Sequence, residues 1–193
     1  SFSKKPGFNI FLDAVLNYDS LTNILNQQIK GLSFDFKKAF VKKKFIIDGC
    51  QLYGGGFEKL IIKIYFSGTN KGVLYLTGKP IYKKDTRSIE VEEIDFDIKS
   101  KNVLLGSADW LFDKKITKEI SKYTKFELGS YIDTAKTSIN SQLNHEWIKG
   151  ISIKGNIDEI KLIGIYPMQK HLVIRSNCEG KLAVSVDSID FSL

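Results

Sequence analysis

The longest run of regularly spaced apolar positions lies in residues Ser107–Trp147. Trp110, Leu111, Ile116, Ile120 and Tyr123 form a first set, and Leu128, Tyr131, Ile132, Ala135, Ile139 and Leu143 form a second. Steps of mostly three and four residues put each set on one stripe of a helix, with Lys and Glu largely on the other side. No proline interrupts the run, and its glycine is Gly129. The pattern predicts one long helix bent near Gly129, or two helices joined there, because glycine weakens a helix interior. Fully helical, about 38 residues at about 1.5 Å each would span roughly 55–60 Å. A stripe of that length needs an equally long partner. Alternating strands lie on both sides of it in sequence, so the expected fold is α+β: a long, strongly curved antiparallel sheet wrapped around a long amphipathic helix.

Phe8–Val15 alternates loosely and ends before Asn17-Tyr18-Asp19-Ser20, a helix-start signature in which Asp19 or Ser20 can cap the following turn. Leu21, Ile24, Leu25 and Ile29 then mark one face of a short helix stopped by Gly31. Strands dominate from Phe34 to Lys99. Lys43–Tyr53 is followed by a turn at Gly54-Gly55-Gly56, and in Glu58–Ser67 the residues Leu60, Ile62, Ile64 and Phe66 share one face. A hairpin turn at Ser67–Gly72 leads back into Val73–Thr77, which carries Leu74 and Leu76.

In the strand Arg87–Lys99, Ile89 and Val91 have one parity while Ile94, Phe96 and Ile98 have the other. An extra residue near Glu92-Glu93 restores the facing, as a β-bulge does. The same switch recurs across Asp158-Glu159 in Ile151–Tyr166, and between Leu182/Val184/Val186 and Ile189/Phe191 in the last strand. Asn177-Cys178-Glu179-Gly180 reads as the turn between Leu172–Cys178 and Lys181–Phe191. Strands that change facing predict a strongly twisted sheet. With no linker and no repeat, residues 1–193 read as a single module.

Charge alters this picture little. Lys and Arg number 29 against 22 Asp and Glu, a net charge of +7, which permits attraction to an anionic membrane surface. Arg87 and Arg175 are the two arginines, and base readout leans on arginine, so specific nucleic-acid binding is disfavoured. Cys50 and Cys178 can form one bridge if their strands are adjacent in an oxidising compartment; otherwise they are two buried thiols. Gly54–Gly56 is followed by a strand rather than by Lys-Ser/Thr and a helix, so it is no phosphate cradle. His145-Glu146 opens like a zinc-protease motif, but Lys149 occupies the place of the second His. The Glu90–Asp97 acids match no calcium loop, and no Gly-x-Ser-x-Gly occurs. Catalysis has no visible carrier, and no cofactor or metal is expected. What remains is a surplus of aliphatic and aromatic side chains, enough to leave an apolar groove beside the core.

The segments SLTNILNQQIKGLSFDF, KKKFIIDGCQLYGGG, GVLYLTGKPIY, ADWLFDKKITKEISKYTKFEL and HLVIRSNCEGKL resemble the C-terminal half of a bacterial domain of unknown function, DUF4403. That family occurs in Gram-negative envelope proteins and carries no catalytic motif to transfer. The order short helix, meander, long helix, further strands is similar to one module of the tubular lipid-binding proteins, which include the bactericidal/permeability-increasing protein. The resemblance implies a non-enzymatic protein of the periplasm or outer membrane that binds or shuttles a lipid or other hydrophobic molecule. It also implies that the opening Ser1-Phe2-Ser3-Lys4-Lys5 continues a longer chain. The expected apolar lining is Leu21, Ile24, Leu25, Leu60, Ile62, Ile64, Phe66, Leu74 and Leu76, with Ile116, Ile120, Ile132 and Ile139 from the long helix. The alternative is an assembly module whose apolar seam packs against a missing N-terminal half or a partner protein.

Overall fold

A computed structural model describes residues 7–38, 40–97, 100 and 109–187. The chain divides into two compact units. The first comprises Ser1–Ala14, Leu128–Gly164 and Ile174–Leu193, and the second Val15–Glu127 and Ile165–Val173. Each is built mainly on one antiparallel sheet curled into a half-barrel.

The second unit holds a meander in which every strand pairs with its sequence neighbour: β2 (Ser33–Lys38), β3 (Val41–Gly56), β4 (Lys59–Gly68), β5 (Gly72–Lys83), β6 (Ser88–Phe96) and the short β7 (Lys125–Glu127). Strict alternation buries Leu60, Ile62, Ile64 and Phe66 on β4 against Leu74 and Leu76 on β5. The expected bulge is present. Thr77 pairs with Asp95 and Lys79 with Glu92, so Glu93 and Ile94 stand opposite the one residue Gly78. Glu93 takes φ 53°, and buried parity passes from Ile89 and Val91 to Phe96. Gly78 fits because a Cβ there would lie 2.4 Å from Val91 Cγ1, which keeps β5 running through the Gly78-Lys79-Pro80 signal. Ile98 and Lys99 lie outside the described residues.

Helix α1 (Tyr18–Ile29) lies against β3. Its cap is Asn17, whose side chain accepts from the Asp19 amide at 2.7 Å, rather than Asp19 or Ser20. Gly31, at φ 88°, ends it as expected. Leu21, Leu25 and Ile29 supply its buried face. Its polar residues solve a backbone problem, because β2 pairs with β3 only from Val41 to Ile46 and leaves the rest of that edge without a strand. Asn26 accepts from the Cys50 amide at 2.7 Å and donates to the Cys50 carbonyl at 3.0 Å. Thr22 accepts from the Leu52 amide at 2.9 Å. Side chains thus replace the missing ladder bonds.

The turn between β3 and β4 falls on Phe57 and Glu58, at φ 47° and 61°, one step beyond the glycine run. Gly54 serves close approach instead: a Cβ would lie 2.0 Å from the Met168 carbonyl oxygen, beside the Tyr18 hydroxyl that donates to that same oxygen at 2.8 Å.

The long helix is not formed. A 3₁₀ turn (Asp109–Phe112), α2 (Lys114–Ser121), β7, α3 (Gly129–Gln142) and β8 (His145–Ile148) succeed one another instead. The break comes at Thr124–Leu128 because Phe126 leaves the helical stripe, is buried, and pairs with Ile89 on β6. Of the expected 107–147 segment, residues 107 and 108 lie outside the described residues.

The first unit holds most of a four-stranded sheet ordered β1 (Phe8–Asn17), β10 (His171–Val186), β9 (Ile151–Pro167), β8. β10 runs straight through the expected turn at Asn177–Gly180. Gly180 is a point of close approach, where a Cβ would lie 2.3 Å from the Asn156 carbonyl oxygen and 2.8 Å from the Phe8 ring. Asp13 pairs with Arg175 at 2.7 Å, farther along β1 and farther back along β10, as antiparallel neighbours require. Burial along β9 changes parity across the exposed Asp158-Glu159, as the spacing predicts. The switch at Ile189/Phe191 lies outside the described residues. β8 pairs with β9 only from Ile151 to Ile153, and beyond it the edge is again finished by side chains. Asn144 donates to the Gly155 carbonyl at 2.8 Å and accepts from its amide at 3.2 Å, and Asn140 on α3 accepts from the Ile157 amide at 2.6 Å.

Two stability predictions follow from this packing. Ile64→Ala, at a fully buried site, should cost about 2–5 kcal/mol. Asn26→Ala, which strips partners from two backbone groups, should cost about 2–4 kcal/mol. Urea denaturation checks both, and an Asn26→Ala midpoint equal to wild type would refute the clamp.

Candidate functional site

The structure separates the expected lining residues. Leu21, Leu25, Leu60, Ile62, Ile64, Phe66, Leu74, Leu76, Ile116 and Ile120 are all buried in the second unit, where Phe45, Ile47 and Leu52 join them. Alternation identified the inward face correctly, and that face is filled by its own side chains. Ile24 is exposed on α1, and Ile132 and Ile139 are half-buried on α3, a helix with no fully buried residue. None of the thirteen lines the open groove of about 1050 Å³ between α2 and β6. That groove is charged. Lys114 and Lys118 of α2 and Lys122 at its C-terminal cap line the groove with Glu90, Glu92 and Glu93 of β6, with Lys122 paired to Glu119 and Lys83 to Glu92. Exposed pairs of this kind add little to stability, because solvent screens them.

A strand face with uncovered apolar side chains lies in the first unit, where sequence reasoning did not place it. Along β10, Ile174, Ser176, Cys178 and Gly180 are buried, one residue in two. Leu182, Val184 and Val186 continue that same face at 51, 61 and 50% exposure. The unit has other exposed apolar side chains: Trp147 and Ile148 on β8, and Ile10, Phe11 and Leu12 on β1, which alternate between the two faces of their strands. Little opposes them, since Ile157, Ile174 and Cys178 are the unit's fully buried apolar side chains among the described residues. The signal was present in sequence as the spacing of 182, 184 and 186, but alternation does not tell a covered face from a bare one.

Among the described residues no three His, Cys, Asp or Glu side chains gather in metal-binding proximity. Cys50 and Cys178 stand as free, buried thiols, one in each unit, in place of the bridge weighed above. Burial pushes the Cys50 thiol up to about 12 and raises that of Cys178.

A family model for the domain of unknown function DUF4403 matches residues 2–186. The chain belongs to this family. No curated protein matches the DUF4403 sequence. Among solved structures, P47 of Clostridium botulinum E1 is similar at a TM-score of 0.41 and 14% identity, covering 95% of this chain and 45% of that one. The DUF4403 chain therefore spans less than half the length of that protein.

The Cys50 shift has a pH consequence. Its folded value, about 12, exceeds the ordinary 9.0, so the stabilisation of the neutral thiol is complete below pH 9 and is lost as pH rises from 9 toward 12. Tyr18, raised from 10.0 to about 12 by burial, acts in the same direction. Unfolding midpoints should fall over that range, less steeply in Cys50→Ala. Iodoacetamide should modify Cys50 slowly until the protein unfolds.

Proposed function

We propose that this DUF4403 domain is a non-enzymatic module of the bacterial cell envelope that binds a lipid or other hydrophobic ligand on the uncovered sheet face of its first unit. The observation that carries this reading is the β10 face, buried through Gly180 and bare at Leu182, Val184 and Val186. An apolar face on a curled sheet suits a chain of methylene groups, which needs area and shape rather than charge. The curled antiparallel sheets are in keeping with a tubular lipid-binding module. In this reading the second unit, with its filled core, is the rigid frame. The envelope location rests on the setting in which the resembling family occurs.

Native mass spectrometry with lipid extraction, on protein purified from a bacterial host, tests the proposal. A co-purifying lipid, or uptake of added fatty acid or phospholipid, is the expected result. Val184→Asp should lower uptake at least tenfold by placing a carboxylate among apolar contacts. Because Val184 is exposed, its stability should stay within about 0.5 kcal/mol of wild type. A clean apo mass that added lipids leave unchanged would end the ligand reading and leave the face to a packing partner.

A further inference from the structure

The molecule's charge is not evenly spread. The second unit carries 21 Lys and Arg against 14 Asp and Glu, the whole net +7, while the first carries 8 of each. Part of that excess is gathered in one hairpin, where the sequence from Lys37 to Lys44 reads KKAFVKKK. β2 and β3 pair there in a register that sets Lys37 directly opposite Lys42. Like charges facing each other across a ladder destabilise it, so this pair serves something other than the hairpin. Among the described residues neither Lys37, Lys42 nor Lys44 has an ion-pair partner. At the turn between these strands Phe40 is fully exposed, at 105%, and Val41 beside it is exposed too.

We propose that the β2–β3 hairpin anchors the protein to an anionic phospholipid bilayer, with Phe40 and Val41 entering the interface and the lysines around them meeting the headgroups. An aromatic ring at a strand turn is apolar payload with no partner in its own fold. Lysine neutralises lipid charge without demanding a fixed geometry. A protein surface is a poorer occupant, because protein interfaces are depleted in lysine. The equally exposed Phe57, at the β3–β4 turn, shows the contrast: its neighbour Glu58 is paired with Lys79, and Lys59 is the one other charged residue of that turn, where the β2–β3 hairpin gathers five lysines. The anchor goes beyond ligand binding, since docking needs no occupied β10 face.

Vesicle flotation tests it, using phosphatidylcholine alone and phosphatidylcholine mixed with phosphatidylglycerol. The protein should float with the mixed vesicles, not with the neutral ones, and should be released by salt. Lys37→Ala/Lys42→Ala/Lys44→Ala should weaken binding on the order of 100-fold, at roughly fivefold per lysine. Phe40→Ser should weaken it roughly tenfold, and Phe57→Ser should leave it unchanged. These side chains are exposed, so circular dichroism should be that of wild type. In Phe40→Trp, emission should shift to the blue on the mixed vesicles. Unshifted Phe40→Trp emission, full flotation of the triple variant, or retention on an acidic polypeptide without flotation would each overturn the anchor. Val184→Asp separates the two readings, because it should lose lipid uptake while still floating.

Discussion

The fold depends on how two long strands dispose of backbone groups that no neighbouring strand reaches. β3 outruns β2, and β9 outruns β8. In each case an asparagine closes the gap by gripping the amide and the carbonyl of one residue: Asn26 on Cys50, and Asn144 on Gly155. An amide side chain, like the peptide itself, offers donor and acceptor side by side. The helices are therefore placed by hydrogen-bond accounting as much as by apolar contact. α3 makes this plain, since it buries no residue fully yet is tied to β9 through Asn140 and through Lys136, which donates to the Asp158 carbonyl.

The two units treat apolar surface in opposite ways. In the second, the alternating face of β4 and β5 is buried, α1 lies against β3 and α2 against β6, Phe45 stacks on Phe66 and Phe36 meets Trp110, and the inward face is filled. In the first, one sheet carries a comparable alternation with little set against it. The side chains that fill the core of the second unit are therefore not those left uncovered on the sheet of the first.

Much of this was legible in the chain. The spacing of Leu21, Leu25 and Ile29 with Gly31 gave α1, and the parity change at Glu92-Glu93 located a real bulge, because both signals are local. The long helix misled because the stripe ignores Phe126, whose place is decided by Ile89, far away in sequence. Gly54 and Gly180 were read as turns; each instead admits a neighbouring backbone, a requirement that only the tertiary structure reveals. Ten of the thirteen candidate lining residues are buried in the second unit for a related reason. Periodicity names the inward face of a strand but not what fills it.

The asparagine grip on β3 also bears on how such a protein goes wrong. A strand edge with free amides and carbonyls is a template for another chain, and β3 presents such an edge beyond Ile46, where β2 no longer pairs with it. By occupying both groups of Cys50, Asn26 removes the rung at which an incoming strand would start to pair. Loosening α1 from β3 therefore does more than lower stability: it bares an edge competent for self-association, so misassembly through β3, rather than simple unfolding, is the fate from which this helix protects the chain.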